Sequence, residues 1–126
     1  MQQHVIAVID DDPDMRDAFE TLVTAFGLYA EVYASGEGFL KAAAESEAAC
    51  LIVDIGLGDL SGIELVRRLK RIGLGFPIIF VTGSDDDALR REAEELGFVA
   101  FLRKPFPTAK LMQAINQVVG GSLLSG

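Results

Sequence analysis

The sequence predicts an α/β fold of the (βα)5 kind, a doubly wound parallel sheet of five strands with helices on both faces. Three observations carry that expectation. Five short apolar runs alternate with amphipathic stretches along the 126 residues. The runs are almost wholly apolar, as strands buried on both faces are, rather than alternating. Their connections are short, which suits helices crossing over a parallel sheet in the right-handed sense.

Each element has a local reason. Val5–Ile9 is an apolar run that stops at Asp10. Pro13 fits the first turn of a helix, where its missing N–H has no intrahelical partner. That helix is predicted to run from Pro13 to Thr24 or Ala25, burying Met15, Phe19, Leu22 and Val23, with Gly27 as its stop. Leu28–Tyr33 reads as the second strand. Ser35 is placed to cap a short helix over Gly36–Ala44, despite the helix cost of Gly36 and Gly38. Cys50–Val53 is the third strand and ends at Asp54. After a loop over Gly56–Leu60, Ser61 and Glu64 have capping-box spacing. The helix they open turns Ile63, Leu65, Val66 and Leu69 inward and Arg67, Arg68, Lys70 and Arg71 outward. Gly73 and Gly75 end it. Phe76–Val81 is the fourth strand, with Pro77 near its start, where a missing donor is tolerated. The fourth helix is expected over Asp85–Leu96, its three leading acids favoured at the positive end of the helix dipole. Gly97 stops it, Phe98–Leu102 is the fifth strand, and Thr108–Val119 is the last helix. Residues 1–120 thus read as one domain and 121–126 as a frayed end or the stub of a linker.

Bulk properties exclude several classes of function. The formal net charge is −8, which argues against direct binding to nucleic acid or to an acidic membrane surface. No apolar run approaches the ~20 residues that span a bilayer. The N-terminus lacks the basic flank of a secretory signal. Cys50 is the single cysteine, so no intrachain disulfide forms. A cytoplasmic location is the resulting expectation.

The chemistry lies at the ends of the runs. Asp10 and Asp11 follow the first strand, Asp54 the third, Thr82 the fourth and Lys104 the fifth. Ligands of open α/β sheets bind outside the carboxyl ends of the strands. The pattern therefore gathers three carboxylates, a hydroxyl and an ammonium into one pocket from distant parts of the chain. Carboxylates packed together repel unless a hard cation lies among them, and Mg2+ takes such oxygens. Phosphoryl transfer needs positioning and charge stabilisation, and a carboxylate can serve as its nucleophile. The bland reading is an acidic rim of loop starts, which would leave the matching Thr82 and Lys104 unexplained.

The same residues carry a resemblance. Val8-Ile9-Asp10-Asp11-Asp12, Leu51-Ile52-Val53-Asp54, Leu60-Ser61-Gly62-Ile63-Glu64-Leu65, Phe80-Val81-Thr82-Gly83 and Val99–Phe106 with its Lys104-Pro105 pair stand in order and at family spacing. Over Val5–Val119 the chain resembles the receiver domains of response regulators in bacterial two-component signalling, notably the nitrogen-fixation regulator (FixJ-like) kind. The resemblance implies a flavodoxin-like strand order of 2-1-3-4-5. It implies that Asp54 is phosphorylated by a histidine kinase, by a phosphotransfer protein of a phosphorelay or by a small acyl phosphate. Asp10, Asp11, Asp54 and the Gly56 carbonyl would hold Mg2+. Lys104 would pair with Asp54 and then with a phosphoryl oxygen, while Thr82 and Phe101 would form the switch. A cis Lys104–Pro105 bond follows from the resemblance alone. So does an output face made of the fourth helix, fifth strand and fifth helix, through which a homodimer would form.

Some positions depart from that pattern. Gly58 stands where many relatives carry proline. Gly56 and Ser84 are small and offer no group to orient a water, and Phe101 has no hydroxyl. Asp12 is expected to cap the first helix, with Asp14 as first-turn charge. His4 lies at the far end of the first strand from the pocket, and Cys50 reads as a small buried hydrophobe. Two other functions fit the residues less well. A phosphorylation-independent interaction module is disfavoured by the complete set of chemical residues. A flavodoxin-like cofactor binder needs a phosphate cradle where Asp10–Asp14 stands. Whether the receiver acts alone or belongs to a longer transcriptional regulator with a helix-turn-helix output stays open, the FixJ-like character favouring the latter.

Overall fold

The computed structural model of the chain describes residues 4–58 and 60–120. Asp59 of the third loop and the segment 121–126 therefore lie outside the described residues. The elements in chain order are β1 (Val5–Ile9), α1 (Pro13–Ala25), β2 (Tyr29–Tyr33), α2 (Gly36–Ala42) with a 3-10 turn over Ala43–Glu45, β3 (Ala48–Asp54), α3 (Gly62–Arg71), β4 (Ile78–Thr82), α4 (Asp87–Leu96), β5 (Ala100–Arg103) and α5 (Thr108–Val119). All strand pairs are parallel, in the order β2-β1-β3-β4-β5. The expected (βα)5 architecture and strand order are both present.

Alternation along the central strands divides the core in two. Ala7, Ile9, Leu51, Val53, Ile78 and Phe80 face one way and pack with Phe39 of α2, Leu65 and Leu69 of α3 and Ala93 of α4. Ile6, Val8, Cys50, Ile52, Ile79 and Val81 face the other way and meet Phe19 and Val23 of α1 and Leu111 and Ile115 of α5. Both faces of β1, β3 and β4 are covered, which is why those strands read as continuous apolar runs.

The third strand starts earlier than expected, at Ala48, and the fifth later, at Ala100; at other ends hydrogen bonds explain the difference. Leu28 closes α1 instead of opening β2: its N–H donates to the Val23 carbonyl and that of Gly27 to Thr24, with Gly27 at φ +80°. This pairing satisfies the carbonyls left open at a helix end. Asp86 caps α4 by accepting the Ala88 N–H at 2.8 Å, so Asp85 stands outside the helix and pairs with Arg103 at 3.5 Å. Strand β4 begins after Pro77, whose carbonyl accepts the Leu51 N–H at 2.9 Å. The α2 segment tightens into a 3-10 turn at Ala43. Asp12 caps α1 as expected, through Asp14 N–H at 2.9 Å.

The capping box of α3 is half present. Ser61 Oγ accepts the Glu64 N–H at 3.1 Å, but the Glu64 carboxylate turns to its own helix, within 3.6 Å of Arg67, Arg68 and Arg71. The outward basic face is thus partly neutralised, and Arg67 also reaches Glu92 of α4 at 3.1 Å.

Candidate functional site

Four strand ends meet at one edge of the sheet. Asp10 follows β1, Asp54 is the last residue of β3, Thr82 the last of β4, and Lys104 follows β5. The Lys104 N–H donates to the Thr82 carbonyl at 2.8 Å, and the peptide bond after Lys104 is cis, as the resemblance implied. The side chains converge: Lys104 Nζ lies 3.5 Å from Asp54 Oδ2 and 3.6 Å from Asp10 Oδ2. Carboxylate oxygens of Asp10, Asp11 and Asp54 all lie within 4.8 Å of one another.

Each carboxylate sits in a different environment. Asp10 is 1% exposed and Asp54 9%, whereas Asp11 is exposed. Asp10 Oδ1 accepts the Asp12 N–H and Asp54 Oδ1 the Gly56 N–H, both at 2.9 Å. Burial holds the Asp10 carboxyl above its usual pKa and the neighbouring Asp54 adds to the rise, while the Asp12 N–H and Lys104 oppose it. Asp10 Oδ2 is buried with no hydrogen-bond partner among the described residues.

An orphaned carboxylate oxygen among two other carboxylates is a poor resting arrangement for protein alone. It matches the oxygen set a hard divalent cation takes, so the residues present fit such an ion. The Thr82 hydroxyl oxygen accepts the Ser84 N–H at 3.0 Å, which leaves its own proton for another acceptor. Gly56 and Gly58 border the site, where a Cβ would fall 3.5 Å from Asp54 Oδ1 and from Asp11 Oδ2 respectively.

Phe101 lies beside Phe80 on the neighbouring strand. Its ring is half-buried against Phe80 and Phe98, and the Arg90 guanidinium sits 5.0 Å above its centroid. Sequence reasoning singled out every residue at the strand ends but missed three others. Arg16 donates from Nη1 to the Asp10 carbonyl at 2.9 Å. Gly62 lies so close to Asp54 that a Cβ there would stand 2.5 Å from its carbonyl oxygen. Arg90 caps Phe101. A lone arginine on an amphipathic helix and a glycine at a helix start are too common to announce such contacts. His4 and Cys50 lie away from the site: His4 precedes β1, and Cys50 is buried in the first half of β3, where burial pushes its thiol up to about 12.

The family model of the response regulator receiver domain matches residues 6–116. The response regulator protein TodT of Pseudomonas putida is 37% identical over 112 residues, covering 89% of this chain and 49% of that protein. The transcriptional regulatory protein FixJ of Bradyrhizobium diazoefficiens is 37% identical over 114 residues, covering 90% and 56%. The chain spans about half the length of the curated relatives it matches. The crystal structure of full-length FixJ from B. japonicum superposes with a TM-score of 0.87 at 35% identity, over 96% of this chain and 60% of that one. A CheY-like receiver domain from Methanospirillum hungatei JF-1 gives 0.88 at 22% identity, over 99% and 100% of the chains, and bears on the fold alone. Together with the strand-end constellation, these matches establish that the chain belongs to the response regulator receiver domain family of two-component systems.

Proposed function

We propose that Asp54 is the phosphoacceptor of this receiver and that the reaction requires Mg2+. The observation that carries the reading is the position of the Asp54 carboxylate, against the Lys104 ammonium and beside the oxygens of Asp10 and Asp11. Asp10, Asp11, Asp54 and the Gly56 carbonyl would hold the ion. When bound, Mg2+ supplies positive charge to the donor's phosphoryl oxygens and offsets repulsion among the carboxylates.

The chain's own groups account for the rest. The Gly56 N–H holds one oxygen of Asp54, leaving Oδ2 toward Lys104 to attack phosphorus. An O–P bond forms as the bond from phosphorus to the donor breaks, at an imidazole nitrogen of a histidine kinase or phosphotransfer protein, or at the oxygen of an acyl phosphate. The leaving group departs with the electron pair of the broken bond. Lys104 then exchanges a carboxylate for a phosphoryl oxygen, and charge-assisted bonds of this kind are strong. Thr82 donates its hydroxyl proton to another phosphoryl oxygen, and Phe101 repacks with it. The surface of α4, β5 and α5 is the output face and the contact of an induced homodimer.

The protein works in the cytoplasm; among the described residues no helix is long and apolar enough to cross a membrane. Residues 1–120 form the receiver, in keeping with the family match over residues 6–116. The test is intact-protein mass after incubation with acetyl phosphate, with and without Mg2+. An adduct of ~80 Da that requires Mg2+, is labile to base and is absent from Asp54→Asn is the expected result. Its absence from the folded, Mg2+-treated protein, and again with kinase donors, would refute the reading.

A further inference from the structure

Asp10 carries four polar groups, and three are fixed by named partners. Its N–H donates to the Tyr33 carbonyl at 3.1 Å. Its Oδ1 accepts the Asp12 N–H at 2.9 Å. Its carbonyl accepts Nη1 of Arg16 at 2.9 Å. Only Oδ2 is left, facing Lys104 and the acidic cluster. Arg16 meets the same loop a second time, because its backbone N–H donates to the Asp12 carbonyl at 3.0 Å. That second contact is the first backbone bond of α1, so the guanidinium is the part of Arg16 that ties the Asp10 side of the turn to the helix. That tie matters because Asp11 is exposed and has no hydrogen-bond partner of its own among the described residues. Its carboxylate is placed by the backbone that carries it.

From this we infer that Arg16 is a positioning residue for metal binding, holding the Asp10–Asp12 turn so that the carboxylates of Asp10 and Asp11 converge with Asp54. The inference rests on the Mg2+-assisted reading of the site. Its physical content is that a partly buried guanidinium fixes the main chain behind the ligands, much as outer-shell partners orient ligands elsewhere. It also fixes the sign of a substitution. A cation near a Mg2+ site repels the ion, so loss of the Arg16 charge alone would tighten binding. Loss of positioning loosens it.

The experiment is a Mg2+ titration of 15N-labelled protein, followed by the amide shifts of Asp10, Asp11 and Asp12. It compares the wild type with Arg16→Met, Arg16→Lys and Arg91→Met, the last removing an exposed arginine from α4. Circular dichroism checks that each variant is folded. Arg16→Met is expected to raise the half-saturating Mg2+ concentration by about tenfold or more, the usual cost of losing such a partner. Arg16→Lys keeps one donor but not the planar fork and falls between. Arg91→Met leaves the midpoint unchanged. At saturating Mg2+, adduct formation from acetyl phosphate by Arg16→Met returns toward the wild-type rate, because Asp54, Thr82 and Lys104 are intact.

A folded Arg16→Met that binds Mg2+ as tightly as wild type, or more tightly, overturns the assignment. Should Arg16→Met fail to fold, Arg16→Lys decides, and an unchanged midpoint there overturns it equally. A wild type that binds no Mg2+ sinks the metal reading itself. That result is distinct from a wild type that binds beside an Arg16→Met of equal midpoint, which removes only the role of Arg16.

Discussion

At the scale of single residues, Gly62 shows how closely the fold is built around Asp54. A Cβ at this position would lie 2.5 Å from the Asp54 carbonyl oxygen, 2.8 Å from Val53 Cγ1 and 2.9 Å from Ile55 Cα. Two of those atoms are backbone, so α3 or the end of β3 must move. Gly62→Ala is expected to cost about 1–3 kcal/mol, the range for overpacking, and to slow adduct formation by displacing Asp54. Urea unfolding and the rate with acetyl phosphate read the two effects; unchanged values for both would show that the strand end has slack. Cys50 gives a test in pH. Burial pushes its thiol up to about 12, from an ordinary thiol value of 9.0. Between those values the folded state holds a proton that the unfolded state has released. Stability therefore falls as pH rises through that window, by up to about 1.4 kcal/mol per unit from this group. Cys50→Ala should flatten the alkaline limb of a stability–pH curve while lowering stability at pH 7. A limb of unchanged slope would contradict the burial argument.

Among the α-helices, α4 buries the fewest residues. Ala93 is its one fully buried residue, whereas α3 buries Gly62, Ile63, Leu65, Val66 and Leu69. Leu89 and Leu96 pack only partly buried against the core that Phe101 of β5 also meets, and the polar ties are peripheral: Arg90 over the Phe101 ring at 5.0 Å and, just before the helix, Asp85 with Arg103 at 3.5 Å. Contacts of these kinds are worth about 1 kcal/mol or less at an exposed surface. Amide exchange within residues 87–96 is expected to be faster than within α3, and Arg90→Ala should quicken it further with little loss of global stability. Protection in α4 equal to that in α3, unmoved by Arg90→Ala, would show that other contacts secure it. The helix itself was legible in the sequence; its start was not. Three successive aspartates offer three possible caps, and the choice of Asp86 depends on the Ser84 hydroxyl accepting its N–H and on Arg103 engaging Asp85. Such tertiary detail leaves no periodic trace.

For the whole molecule, the (βα)5 architecture and the convergence of Asp10, Asp54, Thr82 and Lys104 followed from apolar runs that end in hydrophilic residues, while the strand order came with the resemblance. The resemblance added the roles of the individual groups. What stayed hidden was the second layer, Arg16 and Gly62, because their contacts depend on how helices seat against strand ends. A cation bound only by the folded site also stabilises the whole domain. At ten times its dissociation constant Mg2+ should add about 1.4 kcal/mol, visible as a rise in melting temperature that Asp11→Asn removes. An equal rise in Asp11→Asn would place the ion elsewhere. Chemical trapping locates the phosphoryl group proposed on Asp54. Borohydride reduces an aspartyl phosphate to homoserine, and tandem mass spectrometry of the digested protein then locates the converted residue. After treatment with acetyl phosphate and Mg2+, homoserine is expected at position 54 and at no other aspartate. Conversion at Asp10 or Asp11 with Asp54 intact would contradict that assignment.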